Sequence, residues 1–172
     1  MHKVVRMAAL LAILHITPVF AAGRIEAYIP EAKPVGAGRL SVFLMDVYDA
    51  TLIAREGKWQ PGEPLALQLT YLRHLKGDKI ADRSAQEMRN IGITDEVKLA
   101  AWHAQMRRIF PDVDEGVTLT GILTPGGDSV FLRNGEEIGW IKDPDFGQAF
   151  FGIWLSEKTS APDLRQKLLG ES

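Results

Sequence analysis

Few residues in this chain are of types that could do chemistry, and their spacing narrows the options further. Beyond the first 21 residues there are only two histidines, His74 and His103, far apart in sequence, and the chain has no cysteine. Metal sites gather His, Cys and carboxylates at short recurring spacings, and no such grouping occurs, so no metal is expected. There is no Gly-x-Ser-x-Gly elbow and no thiol nucleophile. Gly36-Ala37-Gly38 lacks the third glycine of a dinucleotide fingerprint and does not open a helix. No phosphate loop occurs either, and no cofactor is expected. Arg39, Arg73 and Arg83 can each meet a carboxylate through paired N–H donors. At a strand end, as at Arg73, an arginine also serves as an ordinary solvated or ion-paired residue. Tyr48 and Tyr71 are of a type that often sits half-buried with its hydroxyl merely satisfied.

Alternating strands and striped helices must position these groups. Residues 24–29 read as a short first strand, and Pro30 and Pro34 bracket a loop. Residues 38–54 are largely apolar and β-prone, giving one long strand or two in sequence with a break near Asp49-Ala50. Glu56-Gly57-Lys58 is a turn, and residues 65–72 form another strand ending at Arg73. Two helices follow. The first is capped by Asp78 and runs to about Asn90. The second starts around Thr94, Asp95 and Glu96, carries the stripe Leu99, Trp102, Met106, Ile109 and Phe110, and stops at Pro111. Arg83, Glu87 and Arg89 read as a solvated face of the first.

Strands return at residues 116–123, 129–132 and 138–141, the last two joined through Arg133-Asn134-Gly135, a strong hairpin signal. Asp143-Pro144 opens a helix to about Leu155, with Phe146, Phe150, Phe151 and Trp154 on its apolar face. Ser160 caps a short last helix ended by Gly170. Trp102, Trp140 and Trp154 are read as core. Strands, helices, strands, helices is the order of an α+β domain with an antiparallel sheet.

The N-terminus has the character of an export signal. Lys3 and Arg6 precede an apolar run at residues 7–16, Pro18 breaks it, and Val19-Phe20-Ala21 offers a cleavage site. The run is shorter than the roughly 20 residues a membrane span needs. Residues 1–21 are therefore expected to be a removed signal peptide and residues 22–172 a single domain, periplasmic or secreted, with no membrane span after cleavage. Such a domain can bury a full core without disulfides. Hydrophobic residues make up 46% and charged residues 24%, a globular balance. Without Lys3 and Arg6, 18 cations face 22 carboxylates, which gives no basic surface for nucleic acid.

Three stretches together carry a resemblance: Gly36-Ala37-Gly38 leading to Asp46-Val47-Tyr48-Asp49-Ala50-Thr51-Leu52, then Leu69-Thr70-Tyr71-Leu72-Arg73, then Phe151-Gly152-Ile153-Trp154-Leu155-Ser156 leading to Pro162-Asp163-Leu164. In order and spacing the chain resembles the exported, bacterial branch of the chalcone isomerase-like proteins, from about Gly36 to Gly170. The resemblance implies an antiparallel sheet with helices packed on one face, an open-faced sandwich.

That family includes plant isomerases that close a phenol onto an enone, fatty-acid-binding relatives, and members without known catalysis. The isomerases orient an oxyanion with an arginine and stabilise charge with hydroxyls, which is positioning plus electrostatics. Mapped onto this sequence, the arginine position is Leu40, with Arg39 one residue early and therefore on the other strand face. The two hydroxyl positions are Phe43 and Ile153. Hydrocarbon at all three cannot stabilise an oxyanion, so the resemblance implies a non-catalytic protein. The ligand-binding candidates are Leu40, Phe43, Tyr48, Tyr71, Arg73, Ile153 and Arg39. A cavity holding a fatty acid or other small apolar ligand, an isomerase- or lyase-type enzyme with altered chemistry, and an envelope partner-binding protein with a filled core and an apolar patch near Trp140 or Phe151 are all compatible with these residues.

Overall fold

A computed structural model describes residues 19–171. The basic and apolar parts of the expected signal peptide, residues 1–18, lie outside the described residues. The elements in order are α1 (Val19–Tyr28), β1 (Ala32–Val42), β2 (Met45–Arg55), β3 (Leu65–Tyr71), α2 (Gly77–Asn90), α3 (Glu96–Ile109), β4 (Thr118–Leu123), β5 (Ser129–Arg133), β6 (Glu136–Ile141), α4 (Pro144–Leu155) and α5 (Pro162–Leu168). The six strands form one antiparallel sheet in sequence order, an α+β fold.

Strand alternation divides the sheet into two apolar faces. The row Leu52, Leu67, Gly121 and Phe131 runs across β2 to β5 in register and faces α2 to α5. The neighbouring row Ile53, Ala66, Ile122 and Val130 faces the other way, against Ile25 of α1 and Ile29 just beyond its end. The main core thus lies between the sheet and four helices, and α1 covers part of the opposite face. Residues 24–29, expected as a strand, belong largely to this helix. Ile25 and Ile29 are spaced so that both fall on one side in either geometry. What the local pattern left open is resolved by packing: both are buried on the sheet.

The expected break near Asp49-Ala50 also lies elsewhere. β1 and β2 are joined by a two-residue turn at Phe43 and Leu44, both left-handed, with φ of 48° and 65°. Neither residue signals such a turn, which favours Asn-Gly. Asp49 stays in the strand because it pairs with Arg39 across the ladder. Pro34, expected in a loop, lies within β1, where the sheet edge tolerates its missing donor and the register shifts beside it.

The helix starts are tied by carboxylates. Asp95, not Thr94, caps α3 by accepting from the Val97 and Lys98 amides. Asp143 caps α4 through the Asp145 amide and also accepts from the Trp102 indole N–H at 2.8 Å. Asp78 lies in the first turn of α2 rather than at its cap, where Asp112 accepts from the Gly77 amide at 2.8 Å. Ser160 does not cap α5, because its hydroxyl donates to Glu87 at 2.8 Å.

The Gly36-Ala37-Gly38 stretch owes its glycines to α5. A Cβ on Gly36 would stand 2.1 Å from the Lys167 carbonyl oxygen, and one on Gly38 would stand 2.9 Å from Leu164 Cδ1. Bare backbone at these positions lets the last helix lie directly on the edge strand.

Candidate functional site

The sheet and the helices do not meet everywhere. Between them is a cavity of about 800 Å³, within the ~300–1,000 Å³ usual for small-molecule sites. Its sheet wall includes Leu67 and Leu69 of β3, with Leu119, Gly121 and Phe131 beside them. Its helix wall includes Ile80 of α2 and Phe150, Phe151, Ile153 and Trp154 of α4. The apolar face predicted for α4 is what forms this wall. Phe150 sits among Phe146, Phe131, Phe151 and Trp154 with ring centroids 5.3–5.4 Å apart, which fixes the rings in place. Gly121 leaves room for the Phe151 ring, whose Cε1 would be 3.1 Å from an added Cβ.

Six of the seven candidates from the sequence line this cavity, in different ways. Leu40, Tyr48 and Tyr71 form one row across β1, β2 and β3, paired in register. Ile153 faces them from α4 and is 8% exposed. Arg39 touches the rim, but its guanidinium is turned onto Asp49 at 2.7 and 3.0 Å and Asp46 at 2.8 Å. These two carboxylates hold the Arg39 pKa above its already high ordinary value. Leu40 therefore occupies the ladder position facing Tyr48, and the one-residue offset of Arg39 takes its charge away to the aspartates. Phe43 is not in a strand. It stands at the hairpin tip, 92% exposed, and not within the strand expected over residues 38–54. Arg73 is the one candidate outside the cavity wall. Its Nη1 lies 3.3 Å from Met45 Sδ, and its Nε is buried without a hydrogen-bond partner.

The two tyrosines are deep phenols. Tyr48 accepts a hydrogen bond from Trp154 Nε1 at 2.9 Å, and the two tyrosine rings meet edge-on at 5.8 Å. Burial pushes the Tyr48 hydroxyl up to about 12, against the opposing effect of the Trp154 N–H, and burial raises Tyr71 as well. Both remain neutral donors at physiological pH. The stabilisation linked to them is intact below the ordinary tyrosine value of about 10 and is lost as pH rises towards about 12. Absorbance at 295 nm should therefore show the signal of two phenols, Tyr48 and Tyr71, still un-ionised at pH 11 in the folded protein. Full ionisation of both near pH 10, with the fold intact, would contradict this burial.

Sequence reasoning missed Glu87. Expected on a solvated face, it is 4% exposed and lies in the cavity wall. Its Oε2 accepts from Ser160 at 2.8 Å and Asn90 at 3.3 Å. Its Oε1 stands 2.5 Å from Arg83 Nη2, a charge contact whose alignment falls short of a hydrogen bond. The available signal is its phase. Glu87 lies on the same helical side as buried Ser84 and Met88, whereas Arg89 turns outward to pair with Glu96 at 2.9 Å. Arg83, whose side chain is 69% exposed, is thereby tethered at the cavity rim, and among the described residues most of its donors have no partner. The cavity walls carry Arg39, Lys79, Arg83 and Lys167 against Glu87 and Asp163.

His74 and His103 take no part. His74 pairs with Asp114 at 2.7 Å and His103 with Asp82 at 2.8 Å, both away from the cavity wall. No group of three potential metal ligands occurs among the described residues. Phe151 is buried and Trp140 packs edge-on against Tyr28, so neither forms an exposed patch. Among the described residues no helix is long and apolar enough to cross a membrane.

Residues 34–170 match a family described as chalcone isomerase-like. An uncharacterized protein of Haemophilus influenzae is 28% identical over 141 residues, covering 81% of this chain and 69% of that protein. The fold is also similar to that of an Arabidopsis thaliana fatty-acid binding protein, with a TM-score of 0.62 and 13% identity, over 81% of this chain and 87% of the other.

Proposed function

The chain belongs to the chalcone isomerase-like family, and from that premise we propose that it is a non-catalytic binding protein for a fatty-acyl or similar apolar ligand. The carrying observation is the cavity of about 800 Å³, walled by hydrocarbon and aromatic rings, with a tethered arginine at its rim. Apolar walls supply the affinity for an acyl chain through removal of its surface from water. Arg83 supplies a planar donor fork for a carboxylate, and Lys79 lies one helical turn before it on the same wall. Arg39 cannot serve without leaving both aspartates. The Arabidopsis protein of similar fold is called a fatty-acid binding protein, which supports this ligand class.

The same cavity argues against two rivals. A filled core is not what lies between sheet and helices. Ring closure on an enone needs a cation and hydroxyls at the positions where this chain has Leu40, Phe43 and Ile153.

Export to the periplasm or beyond is part of the proposal, resting on Lys3, Arg6 and the apolar run that follows. Cleavage after Ala21 would trim the start of α1 while keeping Ile25 and Ile29, the residues that bury against the sheet.

Titration calorimetry with a long-chain fatty acid and its matching alcohol tests the assignment of Arg83. Arg83→Gln should weaken the acid by about tenfold, the value of a hydrogen bond to a charged group, and leave the alcohol nearly unchanged. Equal loss for both ligands would remove Arg83 as the carboxylate partner. Failure of either to bind the unaltered protein would remove the ligand class itself.

A further inference from the structure

Five large hydrophobic residues are exposed among the described residues, and four of them are consecutive: Val42, Phe43, Leu44 and Met45, at 38%, 92%, 102% and 49%. They form the tip of the β1–β2 hairpin. A solvated two-residue turn of this kind ordinarily carries Asn-Gly, because both central residues have positive φ. Phe43 and Leu44 sit there at φ 48° and 65°, a conformation that β-carbons resist. The fold thus holds two bulky apolar side chains in a strained turn and in open water. Strain of this kind persists where the surrounding structure over-determines it, and it points to a use.

A second observation lies at the base of the tip. Arg73 packs its Nη1 against Met45 Sδ at 3.3 Å, leaves Nε buried without a partner, and makes no ion pair among the described residues. Asp46 and Asp49, the nearby carboxylates, are already held by Arg39, and Asp46 also by Ser41. An apolar wedge with an uncommitted arginine at its base matches the layering of a bilayer surface, acyl region beyond headgroup phosphates. A protein partner fits less well. Four residues at a narrow tip fall far short of the ~800 Å² per side that a specific protein interface buries. The tip also adjoins the cavity, since Val42 and Phe43 belong to its lining.

We propose that residues 42–45 insert into the surface of a phospholipid bilayer with Arg73 at the level of the headgroup phosphates, bringing the mouth of the cavity against the lipid.

The protein, purified as its own cells produce it, is sedimented with vesicles of phosphatidylglycerol and phosphatidylethanolamine. Leu44 is the variant site of choice because it does not line the cavity. Leu44→Gly should lower vesicle partition by about tenfold or more, since one fully exposed leucine no longer leaves water. It should also melt at the same or a higher temperature, because glycine accepts the positive φ freely, so lost binding cannot be ascribed to unfolding. Arg73→Gln should weaken binding to the anionic vesicles by about fivefold and change binding to purely zwitterionic vesicles little. The proposal is overturned if the unaltered protein stays in the supernatant, or if Leu44→Gly sediments as the unaltered protein does. No fatty acid is added to the vesicle assay and Leu44 lies outside the cavity lining, so this outcome stands apart from the fatty-acid assignment.

Discussion

Leu40→Trp should lower the affinity for a long-chain fatty acid by at least about tenfold while shifting the melting temperature by no more than about 3 °C. Leu40 is only partly buried, lines the cavity, and lies in the row with Tyr48 and Tyr71. A larger ring there grows into space that the fold leaves open rather than into packed neighbours, so the usual penalty of overfilling a core is small. The space lost is the space an acyl chain needs. Calorimetry against fatty acid, beside a thermal melt, separates the two effects. Unchanged affinity in a variant that is still folded would mean that ligands bind elsewhere or not at all.

A large effect on stability is expected at Gly36. Gly36→Ala puts a methyl group 2.1 Å from the Lys167 carbonyl oxygen and 2.6 Å from that of Leu168. Both atoms are backbone, so relief requires α5 to leave β1. The cost is about 3 kcal/mol or more, roughly a 10 °C loss in melting temperature for a domain of this size. Gly38→Ala is the control. Its nearest obstacle is Leu164 Cδ1, at 2.9 Å, the end of a side chain that can rotate. It should cost about 1 kcal/mol. Equal, small effects at both positions would show that α5 does not need the bare strand. Since Leu164 and Lys167 of α5 also line the cavity, Gly36→Ala should weaken ligand binding as well.

The sequence is informative where side-chain period and turn chemistry agree. β3, β5, β6 and the stripes of α3 and α4 combine regular apolar spacing with Asn134-Gly135, Pro111 or Asp143-Pro144 at their ends. The β1–β2 hairpin is opaque because its turn is made of Phe43 and Leu44, the residues least suited to one on local grounds. α1 is opaque because Ile25 and Ile29 satisfy both a strand and a helix, and only the second sheet face decides. Glu87 reads as surface because carboxylates usually are; its burial depends on Ser160, Asn90 and Arg83, and Ser160 lies 73 positions away. Most site residues were legible through the family resemblance rather than through period or spacing. Tyr48, Tyr71, Leu40 and Ile153 were named that way, and the structure gathers them around one cavity. The cavity itself has no sequence signature. Apolar residues that line a void and apolar residues that fill one look the same along the chain.

Whether that void holds an acyl ligand is most directly settled by native mass spectrometry of the protein, purified from its own compartment without detergent. The account predicts a discrete added mass, released on denaturation and identified as a fatty acid or related apolar molecule, or taken up when fatty acid is supplied. A clean mass of the chain alone, unchanged after incubation with fatty acids, would contradict it.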